Sequence, residues 1–528
     1  MTAAAIKPHQ IQEWLYDGNE LAFLDVREHG LYGEGHPLFS TPLPYSRLEL
    51  DIARLVPRLS TRVVLLDDDE SIARKAAQRL AVLGYDNVHI AQGGAKGWKD
   101  AGYVLFAGVN VPSKTFGELV EHACHTPSIS ARDLSRMMAE GQKLVVLDGR
   151  PYNEYRKMNI PGAVCCPNGE LAYRIHDLVP DDDTPIVINC AGRTRSIIGA
   201  QTLLNLGIRN PVFALENGTQ GWFLEGLSLE HGSDRKYRDV TGTEQARARS
   251  QQLAGHLDVP FVEGRTVARW QAEGDRSVFL CDVRTEEEFA KGTLPGAQHT
   301  PGGQLIQATD QYVGVRRARI VVFDDDGTRA PVVAGWLSQM GHDAHVLNEP
   351  LTEALKLQWP ARRSPELPSL PRMTARAVYD TLEKGGCTVV DVRASASYRA
   401  GHIPGAVWAI RPRIAAQLQG RKPPFIFVAD DPVIAASAAA ELSAKPCFLL
   451  EGGIEAWDTA GFPIMATPDT PPDSERIDYL FFVHDRHDGN REAARQYLAW
   501  ETGLLEQLEP RERETFKPIA VRHPGQSS

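Results

Sequence analysis

The chain has 528 residues and a formal net charge of −11 at pH 7. This length predicts about three to five domains, and the negative charge argues against nucleic acid or an anionic membrane as the main partner. The hydrophobic content of 42% and the charged content of 24% are typical of globular proteins, and no apolar run approaches the length of a membrane span.

The seven cysteines are scattered along the chain, and none of them forms a Cys-x-x-Cys pair. Such a distribution does not indicate a disulfide framework. No hydrophobic signal core follows Met1. We therefore expect a cytoplasmic protein with reduced thiols.

Four apolar stretches along the chain are predicted to be strands that end in Asp-x-Arg. We interpret Asp148 and Arg150 as a pair that fastens the end of its strand, with substrate binding by Arg150 as the alternative. Three of the four copies continue into a Pro-Gly-Ala turn. The four stretches are Leu24-Asp25-Val26-Arg27, Leu147-Asp148-Gly149-Arg150, Cys281-Asp282-Val283-Arg284 and Val390-Asp391-Val392-Arg393, and the turns lie at 161–163, 295–297 and 404–406.

A strand, a short loop and a helix are predicted around Cys190. The β-branched run from Ile186 to Ile188 predicts a buried strand. Apolar residues recur at 197, 198, 203, 204 and 206, and Gly207 lies where a helix C-terminal cap is expected. Cys190 thus lies at the end of a strand, just before a helix N-terminus.

The loop after Cys190 favours an anionic sulfur. The helix dipole, the loop amides and the charges of Arg193 and Arg195 all favour a thiolate over a thiol. This arrangement suits a nucleophile that attacks or carries an anionic group, and Gly192 allows a tight loop. The alternative is a small buried side chain at a strand end, with the arginines directed toward water.

The other three copies carry a different residue at the position of Cys190. Matching Ala77-Gln78-Arg79-Leu80 to Ala200-Gln201-Thr202-Leu203 places Asp67 on Cys190 without a gap. The third copy places Asp324 there. A one-residue gap in the fourth copy leaves the choice between Ala429 and Asp430 open.

The order of predicted elements indicates the fold class. Each copy reads strand, acidic helix, turn, helix, strand, loop, helix and strand, which predicts an α/β domain with a small parallel sheet and helices on both faces. Loops that follow the strands of such a sheet meet at one edge and bind ligands. The Cys190 loop and Arg150 could therefore share one pocket.

The boundaries between the copies are read from composition. Polar residues 231–252 and the prolines between 360 and 371 are interpreted as links. Aromatic and apolar residues such as Trp500 and Leu504 predict a helical tail that packs on the repeats. The predicted domains are 6–108, 126–230, 256–358 and 372–467, followed by the helical tail over 474–528.

The combination of Asp-x-Arg, Pro-Gly-Ala, Cys-x-x-Arg-x-Arg-Ser and the Gly-x-x-Gly-Trp that ends at Trp222 resembles the rhodanese (sulfurtransferase) superfamily. The resemblance covers four tandem copies, and the chain looks like the four-repeat bacterial members described as thiosulfate sulfurtransferases. It implies that the cysteine at Cys190 carries sulfur as a persulfide. It also implies that the loop binds an anionic donor, whereas the three other copies are inactive.

The expected reaction is a two-step transfer of sulfane sulfur through a Cys190 persulfide, without a cofactor or a metal. The donor is thiosulfate or a related species such as glutathione persulfide, and the acceptor is a thiol or cyanide. No nucleic acid or membrane is expected as a partner, and a homodimer is one candidate assembly. The residues expected to bind the donor are Ala191, Gly192, Arg193, Thr194, Arg195, Ser196 and Arg150.

Two other classes of function remain as alternatives. Related folds place a cysteine and an arginine around a tetrahedral oxyanion in phosphatases and arsenate reductases. By resemblance, those enzymes have five residues between the cysteine and the arginine, whereas Cys190 and Arg195 enclose four. The third class is a non-catalytic scaffold, since three copies lack the thiol.

Three further groups of residues are candidates for chemistry. Cys165 and Cys166 follow a Pro-Gly-Ala turn, and we interpret them as buried inert thiols rather than resolving cysteines. The sequence His484-Asp485-Arg486-His487-Asp488 offers too few ligands to predict a metal site. The acidic runs that begin at Asp67 and Asp324 are interpreted as solvated carboxylates at helix N-termini rather than cation sites.

Overall fold

The computed structural model describes residues 3–349, 367–442, 445–481, 490–521 and 523. Four sheets of five parallel strands follow one another along this part of the chain, all with the same strand order. In each repeat, the second and fourth strands along the chain pair at the centre, and the first and third lie at the edges. The predicted fold class is therefore confirmed.

The first repeat contains the strands Ala4–Ile6, Ala22–Asp25, Thr41–Pro42, Val63–Leu66 and Val88–Ala91 and the helices Pro8–Tyr16, His29–Glu34, Leu48–Leu55, Ser71–Val82 and Gly94–Asp100. The helix Val111–Cys124 follows it.

The second repeat contains the strands Ser128–Ile129, Val145–Asp148, Val164–Cys165, Ile186–Asn189 and Val212–Leu215 and the helices Ala131–Ala139, Tyr152–Lys157, Leu171–Leu178, Thr194–Asn205 and Gly218–Leu224. The helix Glu244–His256 follows it.

The third repeat contains the strands Phe261–Val262, Val278–Asp282, Gln298–His299, Arg319–Phe323 and Asp343–Leu347 and the helices Gly264–Glu273, Glu286–Lys291, Gly302–Gln307 and Arg329–Gln339.

The fourth repeat contains the strands Arg372–Met373, Thr388–Asp391, Val407–Trp408, Phe425–Val428 and Cys447–Leu450 and the helices Ala375–Glu383, Ser395–Ala400, Ile414–Gln417, Pro432–Ala439 and Gly453–Thr459. Beyond it lie the helices Arg491–Thr502 and Pro510–Thr515, in agreement with the predicted helical tail.

The central strands are buried on both faces, which explains their β-branched composition. Ile186, Val187 and Ile188 are fully buried. The helix Thr194–Asn205 covers one face of this sheet, and Gly207 at its C-terminal end has a φ of +69°, the left-handed conformation that glycine adopts without strain. Strand and helix thus form where the sequence predicts them around Cys190.

A helix occupies part of the region that was interpreted as a link. Glu244–His256 buries Ala246, Ser250 and Leu253. These residues recur at helical spacing, yet the small Ala and Ser side chains give a weak apolar signal. The segment is therefore a packed helix rather than an irregular connection.

The chain forms two compact units, each of which contains two repeats. The first and fourth repeats lie in one unit, where the buried guanidinium of Arg411 donates to Glu49 and to the Tyr45 carbonyl, at 3.0 and 2.9 Å respectively. The second and third repeats lie in the other, where the buried Arg329 donates to Glu170 at 3.1 Å. In both units a buried arginine joins the paired repeats.

Within the described residues, no helix combines the length and the apolar character that crossing a bilayer requires.

Candidate active site

Cys190 directly follows the central strand Ile186–Asn189 of the second sheet, so it lies where the parallel strands have their carboxyl ends. Its side chain is buried, with 2% of the residue exposed. Asn189 pairs with Asp148 on the neighbouring strand, and its amide donates to the Asp148 carboxylate at 2.8 Å. Arg150 follows Asp148 by two residues, so the structure brings Cys190 and Arg150 to the same edge of the sheet.

The helix Gly218–Leu224 holds the carbonyl groups at the start of the Cys190 loop, which we define as residues 190–196. The Thr219 amide donates to the Cys190 carbonyl at 2.8 Å, and the Gln220 amide donates to the Ala191 carbonyl at 3.1 Å. A trans peptide directs its N–H opposite to its carbonyl. The amides that follow Cys190 and Ala191 therefore point away from this helix, toward the interior of the loop.

Gly218 allows this close approach. A Cβ atom at this position would lie 2.2 Å from the Cys190 carbonyl oxygen. Its φ of +52° is also a left-handed conformation that other residues rarely adopt. The glycine of the Gly-x-x-Gly-Trp motif thus positions the loop, whereas Trp222 packs in the core and donates its indole N–H to the Ser228 carbonyl at 2.9 Å.

Among the described residues, the sulfur of Cys190 has one side-chain hydrogen-bond partner, Ser196 at the far end of the loop. The Ser196 hydroxyl donates to Sγ at 3.0 Å, and Ser196 is fully buried. This hydrogen bond links the first and last residues of the Cys190 loop.

The corresponding loops of the first and third repeats hold a carboxylate in a cradle of backbone amides. The amides of Glu70, Ile72 and Ala73 donate to the Asp67 carboxylate at 2.6, 2.8 and 3.0 Å. In the third repeat, four amides donate to Asp324 at 2.7–3.1 Å: those of Gly327, Thr328, Arg329 and Ala330. This loop conformation therefore binds an anion at its centre.

The alignment indicates which residues of the second repeat occupy the positions of these amides. The residues that correspond to Gly327, Thr328, Arg329 and Ala330 are Arg193, Thr194, Arg195 and Ser196. Cys190 takes the place of the carboxylate, at the same strand-to-helix junction.

The two carboxylates are buried, which corrects the interpretation that they are solvated. Asp67 is 2% exposed and Asp324 is 9% exposed. Burial and the neighbouring Asp326 raise the pKa of Asp324 to about 6, although the loop amides and Arg329 oppose this shift. The reason for the error is that the loop amides, and not water, solvate these carboxylates.

The fourth repeat carries Ala429 at the Cys190 position, which resolves the choice between Ala429 and Asp430. Val428 pairs with Asp391 as Asn189 pairs with Asp148. Ala429 therefore follows its strand as Cys190 does. Its methyl group offers no nucleophile.

Both arginines of the Cys190 loop are paired with carboxylates. Arg195 donates to both oxygens of Glu154 at 2.9 and 2.8 Å. Arg193 donates to both oxygens of Glu118 at 2.7 and 3.0 Å and also contacts Glu121. Although burial opposes it, these carboxylates raise the pKa of both guanidinium groups, so both remain charged.

Glu118 is 2% exposed and lies on the helix Val111–Cys124. Burial raises the pKa of Glu118 to about 7; Arg193 opposes this rise, and the carboxylates of Glu501 and Glu121 support it. The helix approaches the Cys190 loop closely, because a Cβ on Gly117 would lie 2.8 Å from Cγ2 of Thr194.

Arg150 makes the same contacts as its counterparts in the other three repeats. Its guanidinium donates to Asp148 at 2.8 and 2.7 Å and to the Met158 carbonyl at 2.5 Å. The corresponding arginines bind the aspartate of their own Asp-x-Arg and a carbonyl eight residues further on. Three of the four repeats make these contacts although they lack the thiol. The contacts therefore favour a role for Arg150 in fastening the strand end over a role in substrate binding.

The C-terminal helix Arg491–Thr502 covers the Cys190 loop. The Thr194 hydroxyl donates to Oε1 of Glu501 at 2.9 Å. A Cβ on Gly192 would lie 2.8 Å from Oε2 of Glu501 and 3.4 Å from the ring of Tyr497. Lys114 contacts the Tyr497 hydroxyl and is 4.8 Å from the centre of the Trp500 ring. Gly192 is therefore required for space, whereas its φ lies outside the left-handed region.

Sequence reasoning missed Glu118, Glu121, Tyr497, Glu501 and Gln220. The predicted acidic helix after Asp-x-Arg could have suggested Glu154, because it follows Arg150 by four residues. Gln220 lies within the Gly-x-x-Gly-Trp motif, and the other residues come from segments outside the predicted second domain.

Other candidate groups differ from the Cys190 site. Burial raises the pKa of Cys165 to about 12 and that of Cys166 well above its ordinary value. Among the described residues, no group of three or more His, Cys, Asp or Glu is arranged to hold a metal ion. The acidic and histidine-containing stretch 484–488 lies outside the described residues.

Comparison with known proteins relates all four repeats to one family. The Rhodanese-like domain profile matches residues 7–101, 130–225, 266–353 and 374–460. The crystal structure of thiosulfate sulfurtransferase from Pseudomonas aeruginosa has 42% sequence identity and a TM-score of 0.91, and the match covers 98% of this chain and 100% of that one.

Two curated relatives match one repeat's length of sequence. YrkF of Bacillus subtilis, named as a sulfur carrier protein, is 32% identical over 102 residues, 19% of this chain. The HTH-type transcriptional regulator Rv0324 of Mycobacterium tuberculosis is 31% identical over 106 residues, 20% of this chain. This chain spans about half the length of these relatives, 54% and 46%. The match of the Rhodanese-like domain to four segments establishes that this chain belongs to the rhodanese-like family.

Proposed function

We propose that this protein is a sulfurtransferase that moves a sulfane sulfur from thiosulfate, or a related persulfide donor, through Cys190 to a thiol or cyanide. The observation that carries the proposal is the amide cradle that holds a carboxylate in the first and third repeats. In the second repeat, the same position belongs to a cysteine. The similarity to the Pseudomonas aeruginosa enzyme supports the same reaction.

The first step forms a persulfide. The Cys190 thiolate attacks the outer sulfur of thiosulfate, and the bond between the two sulfur atoms of the donor breaks. The electron pair of that bond leaves with sulfite. The cradle amides from residues 193–196 then stabilise the negative outer sulfur that is now bound to Cys190.

The second step regenerates the thiolate. An acceptor thiolate or cyanide attacks the outer sulfur, a bond between the acceptor and that sulfur forms, and the bond to Cys190 breaks. Cys190 leaves as a thiolate, which the Ser196 hydroxyl stabilises. The two steps together balance without an oxidant or a reductant.

Three measurements on the purified chain test this proposal. With thiosulfate and cyanide, the protein should release sulfite and thiocyanate in equal amounts. With an aryl phosphate or arsenate plus a thiol, it should produce no phenol and no arsenite. Absence of thiocyanate, or turnover of the phosphate ester, would overturn the assignment in favour of a scaffold or a phosphatase.

A further inference from the structure

The loops of the first and third repeats that correspond to the Cys190 loop each hold one singly charged group. The carboxylates of Asp67 and Asp324 accept three and four backbone hydrogen bonds from their own loops. Backbone amides that converge in this way stabilise a single negative charge. A persulfide on Cys190 carries one such charge, on its outer sulfur. A dianionic donor brings a second negative charge, which the side chains around the loop must neutralise.

The side chains around the Cys190 loop supply no excess of positive charge. Both loop arginines are paired with carboxylates, and Arg193 contacts two of them. Lys114 adds a third cation, and its ammonium lies 4.5 Å from the centre of the Tyr497 ring. Four carboxylates face these three cations: Arg193, Arg195 and Lys114 stand against Glu118, Glu121, Glu154 and Glu501. When all seven side chains are ionised, negative charge therefore exceeds positive charge by one.

The carboxylate of Glu501 is directed at the loop itself. Its Oε2 lies 2.8 Å from the position that a Cβ on Gly192 would occupy, and this oxygen has no hydrogen-bond partner among the described residues. The Thr194 hydroxyl binds only Oε1. Because Glu501 is buried, water screens its charge less than it would at the surface. Oε2 therefore disfavours a second negative charge at the loop.

The pair of Arg195 and Glu154 does not depend on the thiol. In the third repeat the corresponding residues are Arg329 and Glu288, and Arg329 donates to Glu288 at 2.7 Å. That repeat carries an aspartate in place of the cysteine. The pair is therefore part of the shared fold.

The pairs of Arg193 differ from the arrangement in the other repeats. Glu70 and Gly327 occupy the position of Arg193 in the first and third repeats, so neither repeat has a guanidinium there. Glu118 and Glu121 lie on a helix between the segments that match the Rhodanese-like domain profile. The structure thus adds two carboxylates to the one loop arginine that accompanies the cysteine and has no counterpart in these two repeats.

We propose that the Cys190 site prefers a singly charged donor, in which the sulfane sulfur is attached to an organic group, over dianionic thiosulfate, and that Glu118, Glu121 and Glu501 set this preference. The inference rests on the proposed function and specifies its donor. The Cys190 thiolate attacks the sulfane sulfur, and the bond between this sulfur and the rest of the donor breaks. The electron pair leaves with the organic group, as a thiolate from a persulfide or a sulfinate from a thiosulfonate. The one negative charge left on the transferred sulfur is the charge that the loop amides stabilise.

The test compares two donors with cyanide as the acceptor. Methanethiosulfonate carries its sulfane sulfur on a sulfonyl group, as thiosulfate does, but a methyl group replaces one charged oxygen. Thiocyanate release at pH 8 measures kcat/KM for each donor, above the pKa of about 7 to which burial raises Glu118. Glu118→Gln should raise the ratio of thiosulfate to methanethiosulfonate by about threefold to tenfold, because a lost carboxylate charge acts twice as strongly on a dianion. A purely structural effect would lower the use of both donors alike.

Glu121→Gln should raise the same ratio, and the double variant should raise it further. Glu121 is partly exposed, so its substitution tests the proposal even if Glu118→Gln lowers the stability. Glu288→Gln is the matched control, because it removes a carboxylate that pairs with the corresponding loop of the third repeat. This control should leave the donor ratio unchanged.

The two proposals fail in different ways. A protein that transfers sulfur to cyanide from neither donor contradicts the proposed function. If sulfur is transferred but Glu118→Gln and Glu121→Gln both leave the donor ratio unchanged, or if Glu288→Gln raises it equally, the donor preference proposed for these carboxylates is wrong and the sulfurtransferase assignment remains.

Discussion

The Thr194 hydroxyl donates a hydrogen bond of 2.9 Å to Oε1 of Glu501, which lies 307 residues further along the chain. Thr194 begins the helix after Cys190, and Glu501 lies on the C-terminal helix that covers the loop. This contact joins the repeat that carries Cys190 at its strand-to-helix junction to a segment beyond all four repeats. Glu501 is 2% exposed, so its carboxylate depends on the partners that the loop provides.

We expect Thr194→Val to destabilise the protein by about 1–3 kcal/mol, because it leaves the buried Glu501 carboxylate without its donor. Sulfur transfer should fall about tenfold as the loop loses this anchor. Adding Glu501→Gln should recover most of the stability, since a neutral amide is less costly to bury. Urea unfolding and thiocyanate release measure the two effects. Glu492→Gln, at an exposed position of the same helix, is the control, and equal effects from it would contradict the specific role of Glu501.

Cys190→Ser should abolish sulfur transfer and preserve the fold, because a hydroxyl fits the site but cannot carry a sulfane sulfur. Mass spectrometry of the wild type after thiosulfate treatment should find one added sulfur, on the peptide that contains Cys190. Burial keeps Cys165 and Cys166 protonated, so their peptide should remain unmodified. Retention of a tenth of the activity, a loss of less than about 1.4 kcal/mol, would place the nucleophile elsewhere.

Arg193→Ala and Arg195→Ala should lower the use of dianionic thiosulfate more than that of a singly charged persulfide donor. A lost charge-assisted contact of about 1.5–3 kcal/mol predicts a drop of roughly tenfold to a hundredfold. Steady-state kinetics with both donors measures the difference. An equal loss for both donors would show that the arginines shape the loop through Glu118 and Glu154.

The stability of the Arg193 variant needs its own control. Arg193→Ala leaves Glu118 buried without its counter-ion, which should destabilise the protein most above pH 7, where this carboxyl is charged in the wild type. Combining it with Glu118→Gln should restore much of this loss, so that donor preference can be measured in a folded protein.

The raised pKa of Glu118 predicts a pH-dependent stability. Its pKa of about 7 in the folded protein lies above the ordinary value of 4.5. Between these values the folded state keeps a proton that the unfolded state has released, so the free energy of unfolding falls as the pH rises through this window. The fall should be on the order of 2–3 kcal/mol. The urea midpoints at pH 5 and pH 7.5 should differ less in Glu118→Gln than in the wild type. The same difference in both proteins would contradict the raised pKa of Glu118.

Asp67→Cys should not create a second active site. In a Cys190→Ser background this single change restores a sulfur atom, but Asp68, Asp69 and Glu70 surround it with negative charge. These carboxylates disfavour a thiolate and repel an anionic donor. Replacing the whole loop by Cys-Ala-Gly-Arg-Thr-Arg should produce measurable thiocyanate. Wild-type turnover from Asp67→Cys alone would disprove the electrostatic account of the Cys190 loop.

The sequence alone determined the repeat structure, the α/β class and the position of Cys190. Each of these depends on short-range patterns: a β-branched strand, an Asp-x-Arg end, a Pro-Gly-Ala turn and a glycine after a helix. Such patterns specify local conformation through propensity and hydrophobic period. These patterns did not predict the edge strands of two or three residues, such as Ser128–Ile129. A strand this short has no hydrophobic period to detect.

Only the tertiary structure decided what surrounds Cys190. Arg193 pairs with Glu118 across 75 residues of sequence, and Thr194 pairs with Glu501 across 307. The grouping of the second repeat with the third also depends on a contact between distant residues, Arg329 and Glu170. No local pattern encodes these partners, because they meet only after helices from separate parts of the chain have packed against the loop. The sequence therefore identified the cysteine that we propose as the nucleophile, and the packing determined which charges surround its loop.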